Sequence, residues 1–412
     1  MLKNKSSLNF FVELFLLINS ATLFIPNKYK AYPIILFLIV SVLYYKKTKN
    51  KEPFPVKSFI YISILIILYL ISISYSLNFK EGFKRISTMS SMLVFPIIFG
   101  LLYSSSYYFS KKLIKKIFLS FVFSNFLFCL ISFLYILSFD GYTIVETFIH
   151  YSNLINIGLG LFSIHPIYLS LFTGISILIL FYLTKEKHTK SNIIYGLLIL
   201  FFSIIIAVLM RKGSIIYLFI SLGYLLFMIF NIKKTIIGLI VILIITAFSI
   251  QFLPKYQNYN RFLEIVNNST VKNPNSSTSI RTNIYKCSVE KIFESPLIGY
   301  GVGNTQDKLD PCYVEKGIDL SIKTYNTHNQ YFSILMTVGF LGLLIYLFSL
   351  YKIFSIFNKQ KNFIGISILL FFLFNFFTEN IIERENGMLL YSFFVSFFFF
   401  YQNEESNSYK EL

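Results

Sequence analysis

Long apolar runs separated by short polar segments make up most of the 412-residue chain. A helix needs about 20 apolar residues to cross the hydrocarbon core of a bilayer, and about 17–25 are tolerated. The runs therefore predict an all-α polytopic membrane protein with about twelve transmembrane helices. These spans are expected near residues 8–26, 31–45, 58–76, 87–103, 117–138, 166–183, 192–210, 213–230, 235–252, 329–350, 363–377 and 387–401.

One polar connection, between the ninth and tenth predicted spans, is much longer than the others. Loops longer than about 15 residues are uncommon unless they carry a function, so we expect the active site beneath this loop and short helices within it. A shorter polar segment, residues 139–165, predicts a helix lying on the membrane around residues 145–164. The predicted divisions are residues 1–252, with nine transmembrane helices and the Arg211 turn, and residues 253–328, the long loop. Residues 329–402 hold the last three transmembrane helices, and residues 403–412 form a disordered cytoplasmic tail.

Charged residues make up only 14% of the chain, against about 25% in soluble domains. The net charge of +18 does not indicate nucleic-acid binding, because the lysines fall between apolar runs and leave no basic face free of the bilayer. Cytoplasmic loops are enriched in Lys and Arg. With a cytoplasmic N-terminus, the inner segments hold 20 basic residues and the short outer segments hold 8. This asymmetry predicts cytoplasmic termini and an extracytoplasmic long loop.

The chain has three cysteines. Cys129 lies in an apolar run, where a small buried residue is expected. Cys287 and Cys312 both lie in the long loop, and they would pair if that loop faces an oxidising compartment, which the sequence leaves open. No Cys/His spacing typical of a metal site is present, so we expect neither a metal nor a cofactor.

Arg211 and Lys212 interrupt what would otherwise be about forty apolar residues. Charge at membrane depth costs about 2.5–3.5 kcal/mol on insertion scales, so such a residue usually has a partner. A diphosphate suits the planar donor fork of arginine. The alternative is a tight turn that tolerates charge at the headgroup level, and this alternative explains Lys212 better than Arg211.

Arg281 stands near the start of a predicted helix in the long loop, and Tyr285 follows one turn later. A helix N-terminus favours a nearby anion, which makes Arg281 a candidate phosphate ligand; an ordinary surface arginine is the alternative. Arg261 lies earlier in the same loop, and Arg85 closes a shorter outer loop. Both are candidates for a basic rim around the site.

His328 directly precedes the tenth span, and Asn329 and Tyr331 follow it. Histidine titrates near neutral pH, which suits His328 to accept a proton from an attacking sugar hydroxyl or to bind phosphate. A structural histidine hydrogen-bonded to loop backbone is the alternative. His165 opens the sixth span on the same predicted face and is a supporting candidate.

The last outer turn carries two carboxylates, Glu379 and Glu383, four residues apart. At that spacing both can face one side of a helix end. Glu379 is an alternative base to the histidine. Glu383 and the adjacent Arg384 are expected to pair with each other and orient the turn.

The order and spacing of these motifs resemble the C-terminal signature of the O-antigen ligase/polymerase family. The resemblance covers roughly residues 150–400. The matching positions are His165-Pro-Ile-Tyr168, Arg211 with Gly213, Arg281 with its helix, the segment Pro296-Leu-Ile-Gly-Tyr-Gly-Val-Gly303, His328-Asn-Gln-Tyr331 and Gly339-Phe-Leu-Gly342.

The resemblance implies a GT-C-like membrane fold and an inverting, metal-independent glycosyltransferase of the cell inner membrane, with its active site at the periplasmic face. It implies an undecaprenyl-diphosphate-linked glycan as donor, and lipid A–core or a second lipid-linked glycan as acceptor. Arg211 and Arg281 are then expected to bind the diphosphate, and His328 to activate the acceptor hydroxyl or steady the leaving group. The expected substrate-binding residues are Lys212, Arg261, Tyr285, Asn329, Tyr331, His165, Glu379 and Arg85.

This chain departs from the family pattern at two positions. Lys212 stands where a small residue is more usual. The chain has no Trp, although one often occurs in the family's loop, and Tyr285 is expected to take its place.

Three functions remain open from the sequence. A ligase acting on lipid A–core is favoured over a repeat-unit polymerase, because the polar residues are concentrated in one loop. A transporter of the same lipid-linked glycan is the non-enzyme alternative. Transporters place ionisable groups near the bilayer midplane, whereas the charges here cluster at one predicted face.

Overall fold

The computed structural model describes residues 2–49, 51–139, 141–186, 189–233, 235–240, 243–244, 277–320 and 324–401. Most of the ninth predicted span, Arg261 and the tail lie outside these residues. Within them the chain forms fifteen α-helices and no strand. They are α1 Leu2–Ser20, α2 Ala31–Lys47, α3 Val56–Ser72, α4 Phe79–Met89, α5 Ser91–Ser104, α6 Lys111–Leu137, α7 Ile144–Ile157, α8 Pro166–Leu183, α9 Thr189–Leu209, α10 Lys212–Ile229, α11 Ser277–Glu294, α12 Thr305–Glu315, α13 Gln330–Lys359, α14 Phe363–Asn375 and α15 Glu385–Phe400.

Eight helical segments in the described part of the chain are long and apolar enough to cross a membrane, with α4 and α5 counted together. Three shorter apolar helices, α1, α14 and α15, accompany them. Together these helices fall at eleven of the twelve predicted spans. The prediction of an all-α polytopic membrane protein is therefore confirmed, with helix ends that differ from the predicted ones by several residues.

A shorter amphipathic helix forms where the sequence predicted one between the fifth and sixth spans. The side chain of Thr143 accepts a hydrogen bond from the backbone N–H of Glu146, and the Glu146 carboxylate accepts one from the backbone N–H of Thr143. This reciprocal capping starts α7. Ile144 and Ile157 at its ends are 60% and 74% exposed. That α7 lies on a membrane surface stays a prediction.

The described part of the long loop contains two helices, α11 and α12, which a disulfide joins. Cys287 and Cys312 are bonded at an S–S distance of 2.08 Å, so the pairing that the sequence left open is present. Ile284, Tyr313 and Met336 pack around the bridge in a small core separate from the main one. The bridge and this core hold α11 against the start of α13.

The glycine-rich segment 296–303 is fastened to α13 by backbone hydrogen bonds. The N–H of Tyr300 donates to the carbonyl of Met336 at 2.7 Å, and the N–H of Phe340 donates to the carbonyl of Pro296 at 2.7 Å. These bonds become available because α13 breaks at Gly339, which has a φ of 66°. A Cβ on Gly339 would lie 2.2 Å from the carbonyl of Leu297. Only glycine fits here, so the two glycine motifs form one structural junction.

Several helices begin at one end of the bundle, which we call the site end. The hydroxyls of Ser170 and Ser214, in the first turns of α8 and α10, lie 3.5 Å apart. Ser214 also donates to the side chain of Asn375 at the end of α14, at 2.7 Å. The N–H of Gln330 at the start of α13 donates to the carbonyl of Phe376 at 2.8 Å. The starts of α8, α10 and α13 therefore meet around the segment that follows α14.

Candidate functional site

A carboxylate at the site end joins two of the predicted site residues. One oxygen of Glu379 accepts from the Arg281 guanidinium at 2.7 Å, and the other lies 3.1 Å from Nδ1 of His328. The Glu379 side chain is only 12% exposed, against 40% for Arg281 and 20% for His328. Charge-assisted bonds of this kind are stronger than neutral ones. They bring together residues from α11, the segment before α13 and the segment after α14.

The environment of Glu379 favours its ionised form. Burial alone would raise the pKa of this carboxyl, but the hydrogen bond from His328 and the charges of His328, Arg281 and His165 outweigh burial. The net effect is a pKa below its ordinary value of 4.5. Glu379 is therefore a carboxylate at neutral pH and accepts hydrogen bonds from both partners. It also follows that His165 lies within electrostatic range of Glu379.

The backbone around His328 is held in an uncommon conformation. His328 has a φ of 46°, a region that few residues other than glycine adopt. The Tyr285 hydroxyl donates to the carbonyl of His328 at 3.2 Å, and burial raises the pKa of this phenol, which keeps its proton in place. On the N-terminal side of His328, the Thr327 hydroxyl donates to the side-chain oxygen of Asn380 at 3.1 Å. These contacts fix the imidazole against Glu379 and engage Nδ1, which leaves Nε2 for a substrate.

Asn329 and Tyr331 lie beside His328, and their side chains make contacts within the protein. The Asn329 side chain caps α13 by accepting from the backbone N–H groups of Tyr331 and Phe332 at 2.9 and 3.1 Å. The Tyr331 hydroxyl donates to the carbonyl of Leu373 at 3.0 Å, and its ring packs on Phe377. Their substrate-binding role stays a prediction; in the structure they anchor the segment that presents His328.

The turn with Arg211 and Lys212 adjoins the Glu379 segment. A Cβ on Gly213 would lie 3.0 Å from the Thr378 hydroxyl, so the start of α10 packs directly against the residue before Glu379. His165 caps the neighbouring helix α8, where its Nδ1 accepts from the N–H of Ile167 at 3.4 Å. Two helix N-termini, each a positive dipole end, therefore border the carboxylate.

Arg85 lies in a different environment from the other predicted arginines. Its guanidinium donates to the Thr305 hydroxyl at the start of α12 and lies 3.8 Å from the carboxylate of Glu81. Within the described residues Arg85 thus ties α4 to the long loop. Arg261 lies outside the described residues.

The predicted pair of Glu383 and Arg384 does not form. Glu383 turns towards α13, where one oxygen accepts from the side-chain amide of Gln330 at 3.0 Å and from the hydroxyl of Ser333. Arg384 is exposed, and no carboxylate in the described part of the chain lies within 4.0 Å of its guanidinium. Arg384 is in electrostatic range of Tyr168 in the first turn of α8, as is Glu379. Arg384 was not among the predicted site residues, because it was expected to pair with its neighbour Glu383.

One group of possible metal ligands occurs among the described residues, at Cys287, Glu290 and Cys312, within 4.8 Å of one another. The two sulfur atoms form the disulfide, so neither is available as a thiolate ligand. This group therefore does not fit a metal site, and it lies apart from the contacts of Glu379.

Residues 196–347 match a family model described as O-antigen ligase. No curated protein matches the chain. The matched region contains Arg211, Arg281, His328 and the glycine junction, all of which carried the resemblance in the sequence. The match covers 152 of the 412 residues and supports a relationship to the O-antigen ligase/polymerase family.

Proposed function

We propose that this protein is an inverting, metal-independent membrane glycosyltransferase. In this proposal it transfers a glycan from undecaprenyl diphosphate to an acceptor sugar hydroxyl, as an O-antigen ligase acting on lipid A–core. The observation that carries the proposal is the buried Glu379 carboxylate, which joins His328 and Arg281 at the site end. The family match supports this reaction class.

The proposed reaction is a single displacement at the anomeric carbon of the donor sugar. The acceptor oxygen forms a bond to that carbon while the bond from the carbon to the diphosphate oxygen breaks. The hydroxyl proton passes to Nε2 of His328, and the bonding electrons leave on the diphosphate. Attack opposite the leaving group inverts the anomeric configuration. A positioned general base of this kind typically contributes about 10²–10⁴-fold to the rate.

Glu379 acts in this reaction through His328. A histidine nitrogen that donates to a carboxylate keeps its proton, so the other nitrogen is the acceptor. The 3.1 Å contact between Glu379 and Nδ1 would select the tautomer with a basic Nε2. After proton transfer, the same carboxylate stabilises the imidazolium. Because Glu379 does not touch the substrate in this account, it is a positioning residue.

The leaving diphosphate needs cations that are not already neutralised. Arg281 shares its charge with Glu379, whereas Arg384 is exposed and no described carboxylate lies within 4.0 Å of its guanidinium. We therefore add Arg384 to the predicted diphosphate-binding residues Arg211 and Arg281, with Lys212 beside them. The adjoining starts of α8 and α10 add helix N-termini, which favour anions. Fixed donors of this kind stabilise charge that develops during the reaction.

The test is glycan transfer by purified protein in detergent, with a polyprenyl-diphosphate glycan and lipid A–core. We expect His328→Ala and Arg281→Ala to reduce transfer at least 100-fold. The matched controls are His150→Ala, at an exposed histidine outside the cluster, and Lys286→Ala, at an exposed cation on the same helix as Arg281; both should retain wild-type rates. Unchanged transfer by His328→Ala would contradict the mechanism, and transfer that requires a sealed bilayer would favour the transporter.

The acceptor distinguishes the ligase from a polymerase that uses the same donor. Deletion of a ligase should leave long glycan on the polyprenyl carrier. Deletion of a polymerase should instead leave a single repeat unit attached to lipid A–core. Glycan profiling of the deletion strain therefore tests the acceptor separately from the reaction chemistry.

A further inference from the structure

A cleft at the site end shares no residue with the His328–Glu379–Arg281 cluster. Its volume is about 390 Å³, within the range of about 300–1,000 Å³ that is usual for ligand sites. It opens between α2, the α4–α5 junction and the start of α15. The lining residues are Lys30, Ala31, Ile34, Ile35, Leu38, Ser87, Thr88, Ser90, Ser91, Val94, Glu385 and Leu389.

Lys30 at this cleft is a buried cation whose hydrogen-bond partners are neutral side chains. The residue is only 3% exposed. Its ammonium donates to the side-chain oxygens of Asn27, at 2.7 Å, and of Asn386. An ammonium has three donors, so one remains, and no described carboxylate lies within 4.0 Å of it. Buried lysines are almost always paired, so an anion in the cleft would complete this site.

The cleft also contains an acidic group and has two chemically different walls. Glu385 lines it and lies within electrostatic range of Lys30. Hydroxyl groups from the α4–α5 junction border the same space, whereas the sides towards α2 and α5 are apolar. Ile35 on α2 is 50% exposed, so the apolar wall continues onto the outer surface of the bundle. A ligand that fits must be amphipathic and carry both signs of charge at its polar end.

We propose that this cleft binds a phospholipid with a primary ammonium head group, of the phosphatidylethanolamine type. The phosphate accepts from Lys30 and the neighbouring hydroxyls, the ammonium donates to Glu385, and an acyl chain follows Ile35 and Leu38. A lipid diphosphate fits less well, because it would bring a second negative charge next to Glu385, and Lys30 is the only cation among the described residues that line the cleft. The site is thus distinct from the one proposed for the glycan donor.

The experiment is native mass spectrometry of the purified full chain, titrated with phosphatidylethanolamine, phosphatidylglycerol or undecaprenyl phosphate. Wild type should bind phosphatidylethanolamine at least fivefold more tightly than either other lipid. Lys30→Met should weaken binding of phosphatidylethanolamine at least tenfold. Glu385→Gln should abolish the preference over phosphatidylglycerol. Equal binding of all three lipids, or tighter binding of undecaprenyl phosphate, would overturn the proposal.

A second pair of variants leaves Lys30 and Glu385 unchanged and tests whether the lipid occupies the cleft. Ile35 and Leu36 are adjacent on α2 and similarly exposed, at 50% and 47%, but only Ile35 lines the cleft. Ile35→Trp should fill the space and reduce phosphatidylethanolamine binding at least fivefold, whereas Leu36→Trp should leave it unchanged. Equal effects of the two tryptophans would show that the lipid binds on the general surface and would overturn the proposal.

Discussion

Glu379 and Glu383 lie in one connection, four residues apart, but their carboxylates contact different kinds of group. Glu379 contacts a guanidinium and an imidazole, at 2.7 and 3.1 Å. Glu383 contacts the amide of Gln330 and the hydroxyl of Ser333, both on α13. A carboxylate between two ionisable groups can control protonation, whereas one that accepts from neutral donors ties two elements together. Glu379 therefore belongs to a candidate chemical site, whereas Glu383 makes a structural contact.

Conservative substitution of the two carboxylates should separate these roles most clearly. Glu379→Gln keeps the shape but removes the charge that holds the protonated Nδ1, so transfer should fall about 10²-fold or more. Glu383→Gln keeps an oxygen for its neutral donors and should reduce transfer less than about threefold. Initial rates of glycan transfer measure both. Equal losses in the two variants would contradict the division of roles.

Removal of the disulfide should destabilise the region around Glu379 more than the region around Glu383. The bridge joins α12 to α11, which carries Arg281. In Cys287→Ser/Cys312→Ser, the loss of a cross-link over 25 residues should lower the free energy of unfolding by about 3 kcal/mol. Thermal unfolding in detergent, with and without reductant, measures this. Cys129→Ala is the control for the loss of a cysteine: it keeps the bridge and should remain as sensitive to reductant as wild type, whereas the double variant should be insensitive.

Replacement of Arg384, which does not pair with Glu383, should test whether its guanidinium binds the lipid-linked donor. Arg384→Ala should raise the KM for the lipid-linked donor roughly tenfold, since a hydrogen bond to a charged group contributes about 1.5–3 kcal/mol. The KM for the acceptor should stay unchanged. Arg384→Lys should recover only part of the affinity because it lacks the planar fork. A changed acceptor KM with an unchanged donor KM would contradict this assignment.

The smallest expected effect is on stability in acid. The pKa of Glu379 lies below its ordinary value of 4.5, so its ionised contacts contribute their full stability above that pH. This contribution is lost as the pH falls through the lowered pKa. The difference in melting temperature between wild type and Glu379→Gln should therefore be constant from pH 7 to about pH 5 and then shrink. A difference that grows in acid would contradict the assigned charge state.

The sequence predicted the helices well because spanning a bilayer imposes a length and an apolar composition that can be counted. It also singled out Arg211, because charge at membrane depth is costly, Arg281, because it stands near a helix start, and His328, because histidine titrates near neutral pH. It did not predict that Glu379 joins two of them. Arg281 and His328 lie 98 and 51 residues before Glu379, and no local pattern encodes such contacts.

Two other features depend on the same kind of distant contact. Glu383 and Arg384 are neighbours in the sequence and were expected to pair, but Gln330 and Ser333 provide Glu383 with buried partners that the turn alone cannot provide. Lys30 was counted only as a charge in a short outer segment. Its burial depends on Asn386, 356 residues later.

The most direct test is a double-mutant cycle for Glu379 and His328, measured as single-turnover glycan transfer in detergent. If Glu379 acts only by orienting His328, then Glu379→Gln should have no further effect in a His328→Ala background, because residues that act as a unit are strongly non-additive. The double variant should then be as slow as His328→Ala alone. Losses that multiply in the double variant would show that the two side chains act independently and would contradict it.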